Sequence, residues 1–424
     1  GGGVVMLADA TGVLRRFRRP RCRSDVSAPI RRIGRRSPGY ETRVDLHFLS
    51  ELTATPGPYA SVYLDASHTS EDAAHTLPLR WAAARDELAG QGADDATLAA
   101  LDDAFLGRPA VGRAGRFLMA AAGTVLLDRT TPDPPSRPSA TWGPAMNVLP
   151  MLLDAPEPLT VVVARIDHGG GEILLADPAH AGGDPEQVAE VRGDEYPVHK
   201  ARGGGMKHLT MQHTVENTWR SNADALAERV DAEVRRTGAR VLVLAGDVQS
   251  RALLREALPE RSASIAVEVD HSGGRSGGTE EELADAVDAA ARDVVDAGRR
   301  SVLDRLDQEI GRRDGLAATG IKQVLDALRA EQVDTLFLDV GVTRDGRLWV
   351  GENPSQVASD AEQLRALGSE PVNKVPVDDA LLRAAAASGA AFEPLGGGRT
   401  GLVGKPVDDG VAALLRYPLV AQQG

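Results

Sequence analysis

The sequence predicts an α/β protein built from three α/β domains, and three observations carry that expectation. Short β-branched runs such as "ARVLVLAGD" (239–247) alternate with longer stretches of helical period. Val215, Trp219, Ala223, Leu226, Val230 and Val234 recur at spacings of three and four, which defines one apolar helix face. A chain of 424 residues has room for two to four domains and several buried cores.

Taken in order, residues 1–43 show no sustained periodicity and are rich in Arg, Gly and Pro. They read either as a basic arm that grips RNA, or as a disordered tail or over-extended start. Folded pattern begins near Val44 with "VDLHFLSEL", where the natural chain is expected to start. "YASVYLDAS" (59–67) predicts a strand, "LRWAAARDELAG" and "ATLAALDDAF" two helices, and "GRFLMAAAGTVLLDRT" a strand pair turning at Gly123. The proline-rich run 130–146 closes this unit or forms an edge loop, giving a first domain over 44–155.

A second domain, 156–298, is predicted as an α/β sandwich. It opens with the strand "LTVVVARID", the turn "HGGG" (168–171) and its hairpin partner "EILLAD". A basic glycine loop follows, then a long helix beginning near Thr214, whose face was given above. The strand at 239–247 reads as buried on both faces, followed by the helix "VQSRALLREAL" and the strand "SIAVEVD". "TEEELADAVDAAARDVVD" then opens on a capping box. The third domain, 299–424, starts with the helices "SVLDRLDQEIGRR" and "GLAATGIKQVLDALRAEQ". The buried strand "VDTLFLDV" comes next with "RLWVGEN" as its partner, and further helices and "TGLVGKPVDDGVAALLRYP" end the chain.

Composition excludes several function classes. The single cysteine, Cys22, argues against disulfides, cysteine-ligated zinc and a cysteine nucleophile. No apolar run approaches membrane-spanning length and no secretory core is present, so the cytoplasm is expected and a membrane is not. The formal net charge is −13, while residues 1–43 hold eleven arginines against Asp9, Asp25 and Glu41. That segment carries +8 and the remainder −21, so contact with RNA must come from local basic spots and DNA is not an expected partner.

The densest such spot is "YPVHKARGGGMKHLTMQHT" (196–214). Gly203, Gly204 and Gly205 free the backbone to approach a ligand closely. Lys200, Arg202 and Lys207 supply charge, and His199, His208 and His213 supply titratable donors. The competing reading is an exposed flexible loop whose cations balance Asp194 and Glu195. The spacing matches neither a P-loop nor a dinucleotide fingerprint. The histidines lack the i, i+4 spacing of a helical zinc pair, so no metal is expected. Ser272 and Ser276 in "DHSGGRSGGTE" sit beside Asp270 and His271, but adjacent residues make no triad and a flexible connection explains them. His68 and His75 lie in a polar stretch that reads as a recognition loop or an ordinary solvated turn.

Laid end to end, the hairpin, basic glycine loop, long helix and "VLVLAGDVQSRALL" (241–254) resemble the middle domain of archaeal and eukaryotic class one release factors and Pelota. In the release factors the loop reads roughly Lys-His-Gly-Arg-Gly-Gly-Gln. Here Lys200, Ala201, Arg202, Gly203 and Gly204 match it, and Gly205 occupies the glutamine position. The third domain's opening is similar to the family's L30e/L7Ae-type carboxy-terminal domain. "GPYASVYLDASH", "YPVHK", "QHT" and "GLAATG" resemble the bacterial branch, which is common in actinobacteria. That branch includes relatives of the ribosome hibernation factor Balon, and goes also under the names Vms-type peptidyl-tRNA hydrolase and release factor. The resemblance spans about residues 44–424.

It implies a cytoplasmic factor that occupies the A site of idle ribosomes, with its first domain toward the decoding centre. Elongation factor Tu is implied as a possible partner, and no cofactor is implied. In the release factors the loop glutamine helps position the attacking water. Glycine has no side chain for this and Met206 cannot substitute, so the expectation is no catalytic residue and no hydrolysis. The alternative is a peptidyl-tRNA hydrolase for release or ribosome rescue, in which Gln212 or His213 stands in.

Overall fold

Strand and helix ends are set by where each apolar run meets Gly, Pro or a change of period, and the computed structural model shows a mixed α/β protein. It describes residues 44–53, 55–68, 73–107, 112–154, 159–167, 170–176, 186–192, 206–269, 280–312, 315–396 and 407–418. All of these fall within the unit Glu41–Gly424.

The first elements are β1 (Val44–Asp45), α1 (His47–Leu52), β2 (Tyr59–Asp65), α2 (Ala73–Gly90), α3 (Asp95–Gly107), β3 (Gly115–Ala121), β4 (Thr124–Thr131), β5 (Ser139–Gly143) and α4 (Leu149–Asp154). Strands β4-β3-β2-β5 pair in that order, all antiparallel. The β3–β4 turn falls at Gly123 as expected, with Ala122 (φ 48°) and Gly123 (φ 73°) both left-handed, as a tight primed hairpin requires. Alternate residues of β2 and β3 divide between two cores. Val62, Leu64 and Leu118 pack with Trp81, Leu88, Leu101 and Phe105 of α2 and α3. Tyr59, Tyr63, Phe117 and Met119 face the other way. The proline-rich run is not merely a closing loop: beyond Pro138 every backbone N–H returns, and Ser139–Gly143 forms β5 on the free edge of β2.

The middle elements are β6 (Val161–Asp167), β7 (Gly170–Ala176), β8 (Glu186–Arg192), α5 (Met206–Thr237), β9 (Val241–Gly246), α6 (Val248–Ala257), α7 (Glu260–Ala263), β10 (Ala266–Glu268) and α8 (Glu280–Ile310). Their sheet has the order β10-β9-β6-β7-β8, with β6, β9 and β10 parallel. Every described residue of β9 is buried, because its two faces pack on different helices. Leu242 and Leu244 meet α5 and α6, whereas Val241, Val243 and Ala245 meet Leu283, Val287 and Ala291 of α8. Strand β8 was not anticipated between the hairpin and the glycine loop. Its sequence, EQVAEVR, is too polar to stand out from a loop.

The last elements are β11 (Ala317–Thr319), α9 (Gly320–Arg329), β12 (Val333–Asp339), β13 (Arg347–Val350), β14 (Val357–Ala358), α10 (Ala361–Ala366), β15 (Asn373–Pro376), α11 (Val377–Ala387), β16 (Ala391–Leu395) and β17 (Val411–Leu415). Two sequence expectations are corrected here. "GLAATG" begins as strand β11, because Gly320 at φ 76° separates it from the helix. "RLWVGEN" does not pair with "VDTLFLDV": β13 lies in a separate sheet of order β14-β13-β15. Strand β12 pairs instead with β16 and β17, in the order β1-β16-β12-β17-β11.

Strand β1 therefore adds to the carboxy-terminal sheet, through Val44 opposite Phe392. The inner face of β2 and β3 shares one continuous apolar core with α9, α11, β12 and the small sheet, including Val324, Leu325, Leu336, Val350 and Leu381. Helix α8 is also shared. Its first half covers the middle sheet, its second half places Leu303 and Leu306 against Phe337 and Leu414, and it runs unbroken through positions 298 and 299. There the buried Arg299 guanidinium donates to the buried Glu393 carboxylate on β16.

A shared core makes the first and last units unfold together. Leu381→Ala on α11 is expected to cost about 2–5 kcal/mol, and to lower hydrogen-exchange protection in β2 and β3 as well as in β12 and β16. Loss confined to β12 and β16 would show that the two units are energetically separate.

Candidate nucleic-acid interface

The glycine loop leaves the sheet at one particular edge. Arg192, the last residue of β8, pairs with Gly170, which in turn pairs with Asp167 at the end of β6. Strands β9 and β10 end at the same edge, where open α/β sheets generally receive ligands. The chain is tied tightly there. Gly246 has φ 111°, and a Cβ on it would lie 2.0 Å from the Ile166 carbonyl oxygen. Asp247 then accepts the Ser250 backbone N–H at 2.9 Å and caps α6. Arg251, almost fully buried, donates to the Val269 carbonyl just past β10. Val248 is left 71% exposed at this edge. Arg165 and Glu172 pair across the hairpin and offset each other.

Helix α5 is much longer than the sheet it covers. Its 32 residues extend about 48 Å, while a seven-residue strand spans about 23 Å. Of the predicted stripe, Ala223, Leu226, Val230 and Val234 are buried, Trp219 is only partly buried, and the Val215 side chain lies outside the described residues. Leu226 rests on Gly171, where a Cβ would come within 2.5 Å of Leu226 Cδ2. Gly171 is one residue from the edge, and α5 ends where β9 begins, so the excess length lies on the loop side. Residues 206–222 continue for about 25 Å beyond Ala223.

The helix begins at Met206, not near Thr214. The run Met-Lys-His-Leu-Thr-Met-Gln contains no breaker, and glycine at 205 is an acceptable residue ahead of a helix. Lys207, His208, Gln212 and His213 consequently stand on α5 rather than in a loop. Gln212 is the seventh helical position, about 9 Å along the axis from Met206. His208 and His213 are five residues apart, about 140° around the helix, so they do not share a face. His199, Lys200, Arg202, Gly203, Gly204 and Gly205 lie outside the described residues, as do Ser272 and Ser276.

The charge at the start of α5 is unusual. Its first turn holds no acidic residue and does hold Lys207, although a helix amino terminus carries partial positive charge and favours Asp or Glu. An arm of this kind is electrostatically unfavourable alone and improves beside an anion. Farther along, Arg220 is exposed and lies 4.0 Å from Glu256, an exposed pair of little energetic weight. The cap at Asp247 was missed in the sequence, although Asp-x-x-Ser after a buried strand is a readable signal. Arg251 left no such signal, because its partner is a backbone carbonyl 18 residues away.

Comparison with known proteins places this geometry. A family described as bacterial archaeo-eukaryotic release factor family 2 matches residues 160–312, which run from β6 through α8. Two uncharacterized proteins of Mycobacterium tuberculosis, from strains CDC 1551 and H37Rv, are each 35% identical to the chain over 378 residues. That match covers 88% of this chain and 97% of theirs. Among solved structures, the chain is similar to Pelota of Archaeoglobus fulgidus at 16% identity (88% of this chain, 93% of that one, TM-score 0.33). It is also similar to Dom34 of S. cerevisiae at 10% identity (73% and 83%, TM-score 0.36). The chain belongs to one family with the two mycobacterial proteins, and its segment 160–312 is that of bacterial archaeo-eukaryotic release factor family 2.

The tight edge gives a direct test. Gly246→Ala places a side chain against the Ile166 carbonyl at a left-handed φ and is expected to cost about 2 kcal/mol or more. Equilibrium denaturation measures it, and an unchanged midpoint would contradict the packing described.

Proposed function

We propose that this protein is a cytoplasmic ribosome-binding translation factor that occupies the A site of idle ribosomes and does not hydrolyse peptidyl-tRNA. The observation that carries this reading is the start of α5, an arm about 25 Å long entered from three glycines, with Lys207 and no acid in its first turn. Such an arm suits a phosphate-rich partner, and it lies inside the segment that matches the release factor family. In this reading Lys200, Arg202 and Lys207 meet rRNA phosphates, His199 and His208 add donors, and Gly203, Gly204 and Gly205 permit close approach. Outside such local basic spots the acidic body stays out of the RNA, and the first unit lies toward the decoding centre. Elongation factor Tu is the candidate protein partner.

Loss of chemistry follows from Gly205 at the position of the release-factor glutamine. Gln212 sits about 9 Å farther along a helix, too far to replace it without moving the helix start. Single-turnover assay with ribosome-bound peptidyl-tRNA is expected to show stable association and no peptide release. Release that disappears in Gln212→Ala would establish a hydrolase instead. Reversing charge at Lys200 and Arg202 should weaken co-sedimentation with ribosomes at least tenfold and lower its salt slope by about two or more. Binding indifferent to that change would remove the loop as an RNA contact.

A further inference from the structure

The small sheet β14-β13-β15 has a second face that the shared core does not use. Along β13, Leu348 and Val350 turn into the core, while Arg347 is exposed and Trp349 only partly buried on the opposite side. Register sets Trp349 across from Lys374 of β15, whose neighbour Val375 again points inward. The Lys374 ammonium lies 5.9 Å from the Trp349 ring centroid. Arg347 donates twice to the Lys374 carbonyl, from Nε at 3.2 Å and Nη2 at 2.7 Å, which ties the guanidinium to the β15 backbone and leaves Nη1. Val372, next on the same side of the strand, is 51% exposed. Among the described residues neither Arg347 nor Lys374 forms an ion pair.

We infer that this outer face binds a short stretch of single-stranded RNA, with one base stacked on Trp349 and flanking phosphates on Arg347 and Lys374. The inference deepens the ribosome reading and rests on it only for where such RNA is met. An indole with one cation over its ring and a second on the same strand face matches the stacking platforms that hold unpaired bases. Helix α10 packs against β13 and β14, and Ala358, the β14 partner of Trp349, is buried, so the accessible part of the face is the Arg347–Trp349–Lys374 side. The surrounding acids limit the footprint. Asp378 is held by Arg344 and Glu370 lies 3.8 Å from Arg365, while Asp345 and Glu352 flank the two ends of β13 and repel a longer strand. Asp379 is the acid that feels Arg347. Burial, then Asp378, pushes its carboxyl up to about 7 against the pull of Arg347, so it offsets that cation only in part at neutral pH.

The test uses the full chain and a fluorescein-labelled decauridylate containing 4-thiouridine, at low salt. The expected result is a crosslink in the peptide that contains Trp349. Trp349→Ala should weaken binding about tenfold and Trp349→Phe should retain most of it. Exchanging Arg347 and Lys374 for Gln should lower the salt slope by about 1.4. Charge reversal at Lys200 and Arg202 should leave this crosslink in place. No binding by the wild-type chain, crosslinks only elsewhere, or equal affinity of the Trp349→Ala and wild-type proteins would overturn the inference. An acidic peptide that binds this face where the oligonucleotide does not would also overturn it, in favour of a protein partner. The two readings fail separately: ribosome association can be lost with the Trp349 crosslink intact, and the reverse.

Discussion

The contact between Leu226 and Gly171 sets where α5 sits on the middle sheet, and much else follows from it. A residue with a Cβ at 171 would strike Leu226 and the Arg165 carbonyl, at 2.5 and 2.7 Å. With glycine there, the helix settles close to the strand and its apolar stripe from Ala223 to Val234 covers β6, β7 and β9. Because that stripe ends at Ala223, about 25 Å of helix lies ahead of it on the loop side. The arm is thus the part of a helix for which the sheet has no room. Its length comes from a mismatch between about 48 Å of helix and about 23 Å of strand.

The remainder of the molecule gives this arm a broad base. The amino-terminal sheet, α9, α11 and the small sheet share one core, and β1 completes the carboxy-terminal sheet. Helix α8 belongs to both the middle and last sheets, so the middle unit is joined to the rest through a packed helix as well as through loops. The Arg299–Glu393 pair lies where α8 passes onto the carboxy-terminal sheet. Both side chains are almost fully buried, so replacing one alone leaves an uncompensated charge, a costly change.

Parts of this fold were legible in the sequence for plain physical reasons. Strand β9 is continuously apolar because helices cover both its faces, and the α5 face follows from spacings of three and four. Strands β5, β8 and β11 were not legible, being short or polar and held by partners remote in sequence. The same reason hides the pairing of β13 with β14 and β15, and the union of the first and last cores. The start of α5 was not legible because its first turns, Met-Lys-His-Leu-Thr-Met-Gln-His, show no sustained apolar period. The position and charge of the candidate loop were readable from Lys200 to Lys207. Its placement at the end of a long arm required the helix length and the Gly171 contact.

A density map of the full chain bound to idle ribosomes tests the central claim most directly. The account predicts residues 199–208 against rRNA in the peptidyl-transferase centre, α5 as one continuous helix behind them, and the amino-terminal sheet at the decoding centre. A chain bound elsewhere, or bound in the A site with residues 199–208 directed into solvent, would contradict it.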